Sequence, residues 1–135
     1  MVKLTENEVI DNLCEWLAHQ GWEIQKKSKN HERGIDIKAS KDNELLIIEA
    51  KGSKGNSLSH VTKRKKFDSG QIKDHFGKAL VKVLEERNRN PNATIAIAQP
   101  NDIDIRRNLK DVIPEAKKIG IKLFWVDASD KIEEE

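Results

Sequence analysis

The sequence is poor in cysteine and has no long hydrophobic run. Cys14 is the only cysteine among the 135 residues, so the chain can form neither an intramolecular disulfide nor a multi-cysteine zinc site. It opens without a signal-peptide pattern, and no apolar run reaches the roughly 18 residues of a membrane-spanning helix. These absences predict a soluble, cytoplasmic protein of a reducing compartment with no membrane partner, in which Cys14 is a plain helix thiol.

An excess of one charge is also lacking. Charged residues make up 36% of the chain, but the net charge is only +2, which does not by itself require a nucleic-acid partner. The length suits one domain, and we expect a single nuclease-like domain over residues 1–135. Residues 52–68 show almost no periodicity, and a loop of this length is usually functional or disordered. The loop contains a basic cluster, which consists of Lys63, Arg64, Lys65 and Lys66.

Apolar periodicity and turn-forming residues predict the element order α-β-β-β-α-β-α-β. Helical spacing occurs at about 5–20, 69–89 and 102–119, and strand-like runs occur at about 22–26, 34–39, 44–51, 93–98 and 121–126. Pro114 should kink or split the third helix. The early hairpins imply antiparallel strands and the later β-α-β unit implies a parallel pair, so we expect a mixed sheet with helices on both faces.

Charged residues flank the most apolar strand. Residues 45–48 are all apolar and are followed directly by Glu49, Ala50 and Lys51. Because side chains alternate along a strand, Glu49 and Lys51 should share one face. Charge at the end of a strand that is covered on both sides is costly unless it is paired or bound to a metal.

The preceding strand carries a second carboxylate between two isoleucines. A turn centred near residues 41–43 should place Asp36 opposite Glu49, within roughly 5 Å, and we expect its side chain to project away from Ile35 and Ile37. Two carboxylates this close repel each other unless a cation intervenes, and a hard cation such as Mg²⁺ suits oxygen ligands. With Lys51 beside a water molecule, this arrangement is a plausible site for phosphodiester hydrolysis.

The pattern of Gly34 to Ile37, a turn, an apolar strand and Glu49-Ala50-Lys51 resembles the PD-(D/E)XK signature of the restriction-endonuclease-like superfamily. The first half reads Ile35-Asp36 here instead of Pro-Asp. The resemblance extends over most of the chain through the element order, and it includes small prokaryotic members such as Holliday-junction-resolvase-like, Mrr-like and mobile-element-associated proteins. It implies a restriction-endonuclease-like mixed β-sheet flanked by helices and a Mg²⁺-dependent DNA endonuclease, with Mn²⁺ as a substitute.

The resemblance also implies roles for individual residues. Asp36, Glu49 and the Ala50 carbonyl would hold the metal, and Lys51 would position or activate the water. Many members add an acidic residue from the first helix, for which Glu6 and Glu8 are candidates. Glu6 is preferred because it shares the apolar face of that helix, whereas Glu8 fits a capping box with Thr5. Both could instead simply favour the helix N-terminus.

Some members carry a glutamine on the helix after the Glu-x-Lys strand, often with a tyrosine four residues later. Gln71 holds the first position here, where it could contact a metal-bound water or the DNA backbone. His75 stands in place of the tyrosine and is a candidate DNA-binding residue. Lys54 follows the active strand and could contact substrate, as could the basic cluster, although the cluster could also be a solvated charge run.

Three functions remain open at this stage. The leading one is DNA cleavage, for which a homodimer would be expected if both strands are cut. The others are a non-catalytic DNA-binding or regulatory module on the same fold, and a structural α/β domain with surface salt bridges.

Overall fold

The computed structural model describes residues 2–28, 33–55, 66–129 and 131–135. Their helices and strands are α1 Glu6–His19, β1 Glu23–Lys27, β2 Ile37–Lys41, β3 Glu44–Ala50, α2 Ser69–Arg89, β4 Thr94–Pro100, α3 Ile103–Asn108, α4 Ile113–Lys118, β5 Lys122–Val126 and β6 Ile132–Glu134. The described strands form a six-stranded sheet in the order β1-β2-β3-β4-β5-β6. None of the helices in the described ranges is long and apolar enough to cross a membrane.

The sheet is mixed, as the sequence predicts. β1 pairs antiparallel with β2, β2 with β3, and β5 with β6, whereas β3, β4 and β5 run parallel to one another. The β2–β3 hairpin turns at Asp42 and Asn43, whose φ angles are +48° and +69°. Asn and Asp tolerate this left-handed conformation, and two such residues match the twist of a tight hairpin. The turn sets the register, which ends where Ile37 faces Ile48, so Asp36 lies just beyond the paired residues, at the end of β3 that carries Glu49.

Helices cover both faces of the sheet and bury its central strands. On one face, α1 packs its apolar stripe, which includes Ile10 and Leu13, against Ile48 and Phe124. On the other face, α2, α3 and α4 cover residues such as Ile47. Residues 46–50 of β3 are all buried as a result. The sheet therefore holds the end of β3 rigidly between two apolar layers.

One prediction about the helices is confirmed, and the strand predictions are corrected. The helix predicted at 102–119 is split into two helices, as expected from Pro114, which lies in the first turn of the second one. Proline is tolerated there because the first amides of a helix have no intrahelical partner, whereas in the middle of a continuous helix it would remove a hydrogen bond. The strand predicted at 34–39 begins only at Ile37, and β6 at the end of the chain was not predicted.

The predicted orientation of Asp36 away from both neighbouring isoleucines is wrong. Ile35 packs in the α2 layer, whereas Ile37 packs in the α1 layer. Simple alternation fails because Asp36 precedes the regular strand, where the backbone does not yet follow the pleat.

Candidate functional site

Glu49 lies at the buried end of β3, on the sheet face that α2 covers. Its side chain is only 2% exposed, and its Oε2 lies 3.2 Å from the Nζ of Lys82 on α2. The Nζ of Lys51 is 3.8 Å from the same oxygen. The other oxygen, Oε1, is buried and has no hydrogen-bond partner among the residues that the structure describes. An unsatisfied buried carboxylate oxygen is costly, so this atom is positioned to accept a ligand that the protein does not itself supply.

Asp36 is also buried and is fixed directly to the end of β3. Its Oδ2 accepts a hydrogen bond of 2.9 Å from the backbone N–H of Ala50, next to Glu49. The backbone carbonyl of Asp36 accepts a second hydrogen bond, of 2.8 Å, from the N–H of Ser28. These contacts hold the Asp36 carboxylate next to the strand end that carries Glu49.

A close backbone contact brings the start of α1 to the same place. A Cβ atom at Gly52 would lie 2.6 Å from the backbone nitrogen of Glu6 and 2.8 Å from the carbonyl oxygen of Leu4, so only glycine fits here. The Glu6 carboxylate consequently lies 3.9 Å from the Lys51 ammonium.

The two first-helix candidates lie in different surroundings. Glu8 closes the predicted capping box: its carboxylate accepts a hydrogen bond from the Thr5 N–H at 2.9 Å, and its own N–H donates to the Thr5 hydroxyl at 3.2 Å. Glu6 points towards Lys51 instead. The geometry therefore places Glu6 beside the candidate site and Glu8 in the helix cap, while a metal-binding role for Glu6 stays a prediction.

The carboxylates of the site repel one another electrostatically. Burial, followed by repulsion from Asp36, raises the pKa of Glu49 to about 7, although Lys82 and Lys51 act in the opposite direction. Burial and Asp36 also raise the pKa of Glu6, against a lowering by Lys51 and Lys82. The nearby ammonium groups therefore do not fully compensate the negative charge, and an additional cation would stabilise the ionised carboxylates.

The residues present fit Mg²⁺ better than a metal that needs many protein ligands. Across the described residues, no group of three or more His, Cys, Asp or Glu side chains forms a metal-binding cluster. Mg²⁺ keeps several waters and usually takes only one or two carboxylates from a protein. Asp36, the unpartnered Oε1 of Glu49 and the Ala50 carbonyl would suffice for it.

Gln71 and His75, the two candidate residues on α2, make different contacts. Gln71 forms a capping box with Asp68, because its Oε1 accepts from the Asp68 N–H at 3.0 Å and its own N–H donates to the Asp68 carboxylate at 2.8 Å. His75 stacks edge to face on Phe67, with ring centroids 4.3 Å apart. Burial, followed by the charge of Lys51, lowers the pKa of His75.

His75 also lines a small cavity of ≈ 190 Å³ at the candidate site. The other lining residues are Glu6, Lys51, Gly52, Lys54, Gly55 and Phe67. His75 and Lys54 therefore share one cavity with Lys51, while the placement of Gln71 is explained by its helix cap.

The two ends of the long loop meet beside this cavity. Lys54 and Lys66 form an isolated antiparallel bridge, and the Phe67 N–H donates to the Ser53 carbonyl at 3.1 Å. The Nζ of Lys66 lies 3.9 Å from a carboxylate oxygen of Asp104. The remaining predicted DNA contacts, Lys63, Arg64 and Lys65, lie outside the described residues.

Sequence reasoning missed two residues that shape the site. Lys82 reaches Glu49 from the middle of α2, and no local pattern distinguishes it from the other lysines of that helix. Gly52 was identified only as part of an irregular stretch. A glycine directly after a Glu-x-Lys strand end was a usable signal, because glycine often marks a close backbone approach.

Two solved structures share this fold over nearly the whole chain. A XisH family protein from Nostoc punctiforme PCC 73102 is 17% identical with a TM-score of 0.53, covering 95% of this chain and 95% of that chain. An fdxN element excision controlling factor protein from Anabaena variabilis is 15% identical with a TM-score of 0.58, covering 94% of this chain and 96% of that chain.

No protein-family model and no curated protein matches the chain. At such low identities, the likeness to the two solved structures shows the fold alone. Neither is named as a Holliday-junction-resolvase-like or Mrr-like protein, so that finer resemblance is not supported. The chain has the predicted mixed sheet flanked by helices, and it shares this fold with a XisH family protein.

Proposed function

We propose that this chain is a metal-dependent DNA endonuclease that hydrolyses phosphodiester bonds with Mg²⁺, for which Mn²⁺ can substitute. The observation that carries the proposal is the buried, unpartnered Oε1 of Glu49 at the end of a rigid strand. The Ala50 N–H, one residue further along β3, fixes the Asp36 carboxylate at the same strand end. A fold that buries two carboxylates together without enough cationic partners is well explained by a bound cation.

Each group at the site has a chemical role under this proposal. Asp36, Glu49 and the Ala50 carbonyl would hold Mg²⁺, with Glu6 at the edge of the set. Bound Mg²⁺ supplies Lewis-acid polarisation of a phosphoryl oxygen and acidifies water. The Lys51 ammonium, 3.8 Å from Glu49, would orient a water molecule and stabilise the negative charge that develops on the phosphate.

The proposed substrate is DNA because basic side chains surround the site. Lys54 lines the cavity beside Lys51, and Lys66 is its bridge partner. Contacts from lysines to phosphates would position the backbone irrespective of sequence. If both strands of a duplex are cut, two copies of the chain would act together as a homodimer.

A second candidate is a non-catalytic DNA-binding or regulatory module. One of the similar structures is named as an fdxN element excision controlling factor protein, a name that describes control. In addition, Lys82 gives Glu49 a counter-charge, so the fold can tolerate this carboxylate without a metal. DNA binding without cleavage in any divalent metal would favour this alternative.

The test is a cleavage assay with supercoiled plasmid, linear duplex and four-way-junction DNA in Mg²⁺ or Mn²⁺. We expect Asp36→Asn and Glu49→Gln to lower cleavage by about a hundredfold or more, since even indirect supports of metal ligands contribute 10–100-fold. Glu85→Gln, which neutralises an exposed carboxylate on α2, is the matched control and should cleave normally. Full cleavage by the Asp36 and Glu49 variants would overturn the proposal.

A further inference from the structure

The outer face of α2 carries an open groove that leads away from the candidate site. Its volume is ≈ 680 Å³, and the residues that line it are Lys51, Lys73, Asp74, Gly77, Lys78, Val81 and Lys82. We call this surface the α2 groove. Lys51 also lines the smaller cavity beside Glu6, so the groove and the cavity adjoin at this residue.

The α2 groove carries more positive than negative charge. Among its described lining residues, four are lysines and one is an aspartate. Lys73 and Lys78 are exposed and form no ion pair with the described part of the chain. Lys82 is half exposed and reaches Glu49. From Lys73 to Lys82 the helix rises about 13 Å, which is enough to follow several nucleotides of a DNA strand.

Gly77 lies in the middle of this groove for no reason that the fold supplies. It is an interior residue of α2, its φ is not positive, and a Cβ atom there would meet no other atom within 4 Å. Glycine is unfavourable inside a helix because it loses the most conformational freedom on folding. Because glycine has no side chain to cover the helix backbone, a ligand can approach the backbone closely at this position.

We propose that the α2 groove binds the sugar-phosphate backbone of the DNA strand that enters the candidate site. Lys73, Lys78 and Lys82 contact successive phosphates, and Gly77 is the point at which the strand approaches the helix most closely. The exposed Val81 offers an apolar contact for a deoxyribose. This inference rests on the proposed function, which it deepens by giving the DNA a path across the protein.

The test measures binding separately from cleavage. Fluorescence anisotropy of a labelled 20-base-pair duplex, followed in EDTA over a series of NaCl concentrations, reports affinity and salt dependence without any cutting. Gly77→Gln keeps the charge of the groove but places a side chain where the helix backbone is otherwise open. We therefore expect roughly tenfold weaker DNA binding, which corresponds to the loss of one or two phosphate contacts. Its thermal midpoint should not fall, because the new side chain meets open space.

The lysines are tested by charge removal with a charge-matched control. The double variant Lys73→Gln/Lys78→Gln should bind DNA more weakly. Each lost phosphate contact changes the slope of log K against log[NaCl] by about 0.9, so the magnitude of the slope should fall by about 2. Lys110→Gln/Lys118→Gln removes two exposed lysines outside the groove and should keep a slope close to that of the wild type.

Each outcome decides between the two proposals. Wild-type affinity and slope in both groove variants, or no binding of DNA by the wild-type protein, would overturn the inference. If the groove variants bind DNA more weakly and no metal supports cleavage, the proposal for the α2 groove is supported and the proposed nuclease function is overturned. If the protein cleaves DNA and the groove variants bind it normally, only the proposal for the α2 groove is overturned.

Discussion

Replacing Glu49 by glutamine tests the central feature of the site without any assumption about substrate. The pKa of Glu49 rises from its ordinary 4.5 to about 7 in the folded protein. The folded state therefore holds this proton more tightly than the unfolded state does. It follows that the free energy of unfolding decreases as the pH rises from about 4.5 to about 7, after which this contribution no longer changes.

The size of the effect follows from the pKa difference. At roughly 1.4 kcal/mol per pH unit, a change from 4.5 to about 7 corresponds to about 3 kcal/mol. Glu49→Gln removes the titrating group, so the stability of the variant relative to the wild type should increase by about this amount over that pH range. Lys82 loses its partner in the variant, but its side chain is 46% exposed and can turn to solvent at little cost.

The measurement is urea unfolding in EDTA at pH 4.5, 5.5, 6.5 and 7.5, followed by tryptophan fluorescence, since Trp125 is fully buried. Other groups titrate in the same range, and His75, whose pKa is lowered, acts with the opposite sign. These groups are common to both proteins, so the difference between variant and wild type isolates Glu49. Glu85→Gln serves as the control and should follow the wild-type curve at every pH.

A second set of curves at pH 7.5 with Mg²⁺ tests the metal assignment. A cation that binds only the folded protein raises stability according to its concentration and affinity. Mg²⁺ should therefore stabilise the wild type and not Glu49→Gln. A difference between the two proteins that does not change with pH would refute the account of a buried, uncompensated carboxylate. Equal stabilisation of both by Mg²⁺ would refute the role of Glu49 as a ligand.

Three further predictions concern stability and can be measured by urea unfolding at pH 7. Gly52→Ala should lose about 2 kcal/mol, because the new Cβ would lie 2.6 Å from backbone, and an unchanged midpoint would show that this contact is not tight. Gly77→Ala should gain about 0.5–1 kcal/mol, since the site is open, and a loss would mean that the glycine serves the fold. Asp68→Ala should lower the free energy of unfolding by about 1 kcal/mol, because it removes the N-cap of α2. An unchanged free energy would mean that packing alone determines where α2 begins.

Local signals in the sequence were strong enough to predict most elements. Helix α2 spans Ser69–Arg89, as predicted, because its apolar stripe starts after a capping residue and ends at Asn90-Pro91. The capping box of α1 was readable in the same way. The hairpin turn near residues 41–43 fixed the β2–β3 register from two residues that tolerate positive φ, and this register brings Asp36 to the end of β3 that carries Glu49.

The sequence by itself thus determined most of the order of elements, from α1 to β5, and the strand end on which the charged residues lie. Only the tertiary structure decided which groups surround them. Lys82 meets Glu49 because α2 packs across β3, and Glu6 meets Lys51 because Gly52 lets two backbone segments touch. Helix and strand patterns depend on neighbours in sequence, whereas these contacts join residues more than 30 positions apart and depend on how whole elements pack.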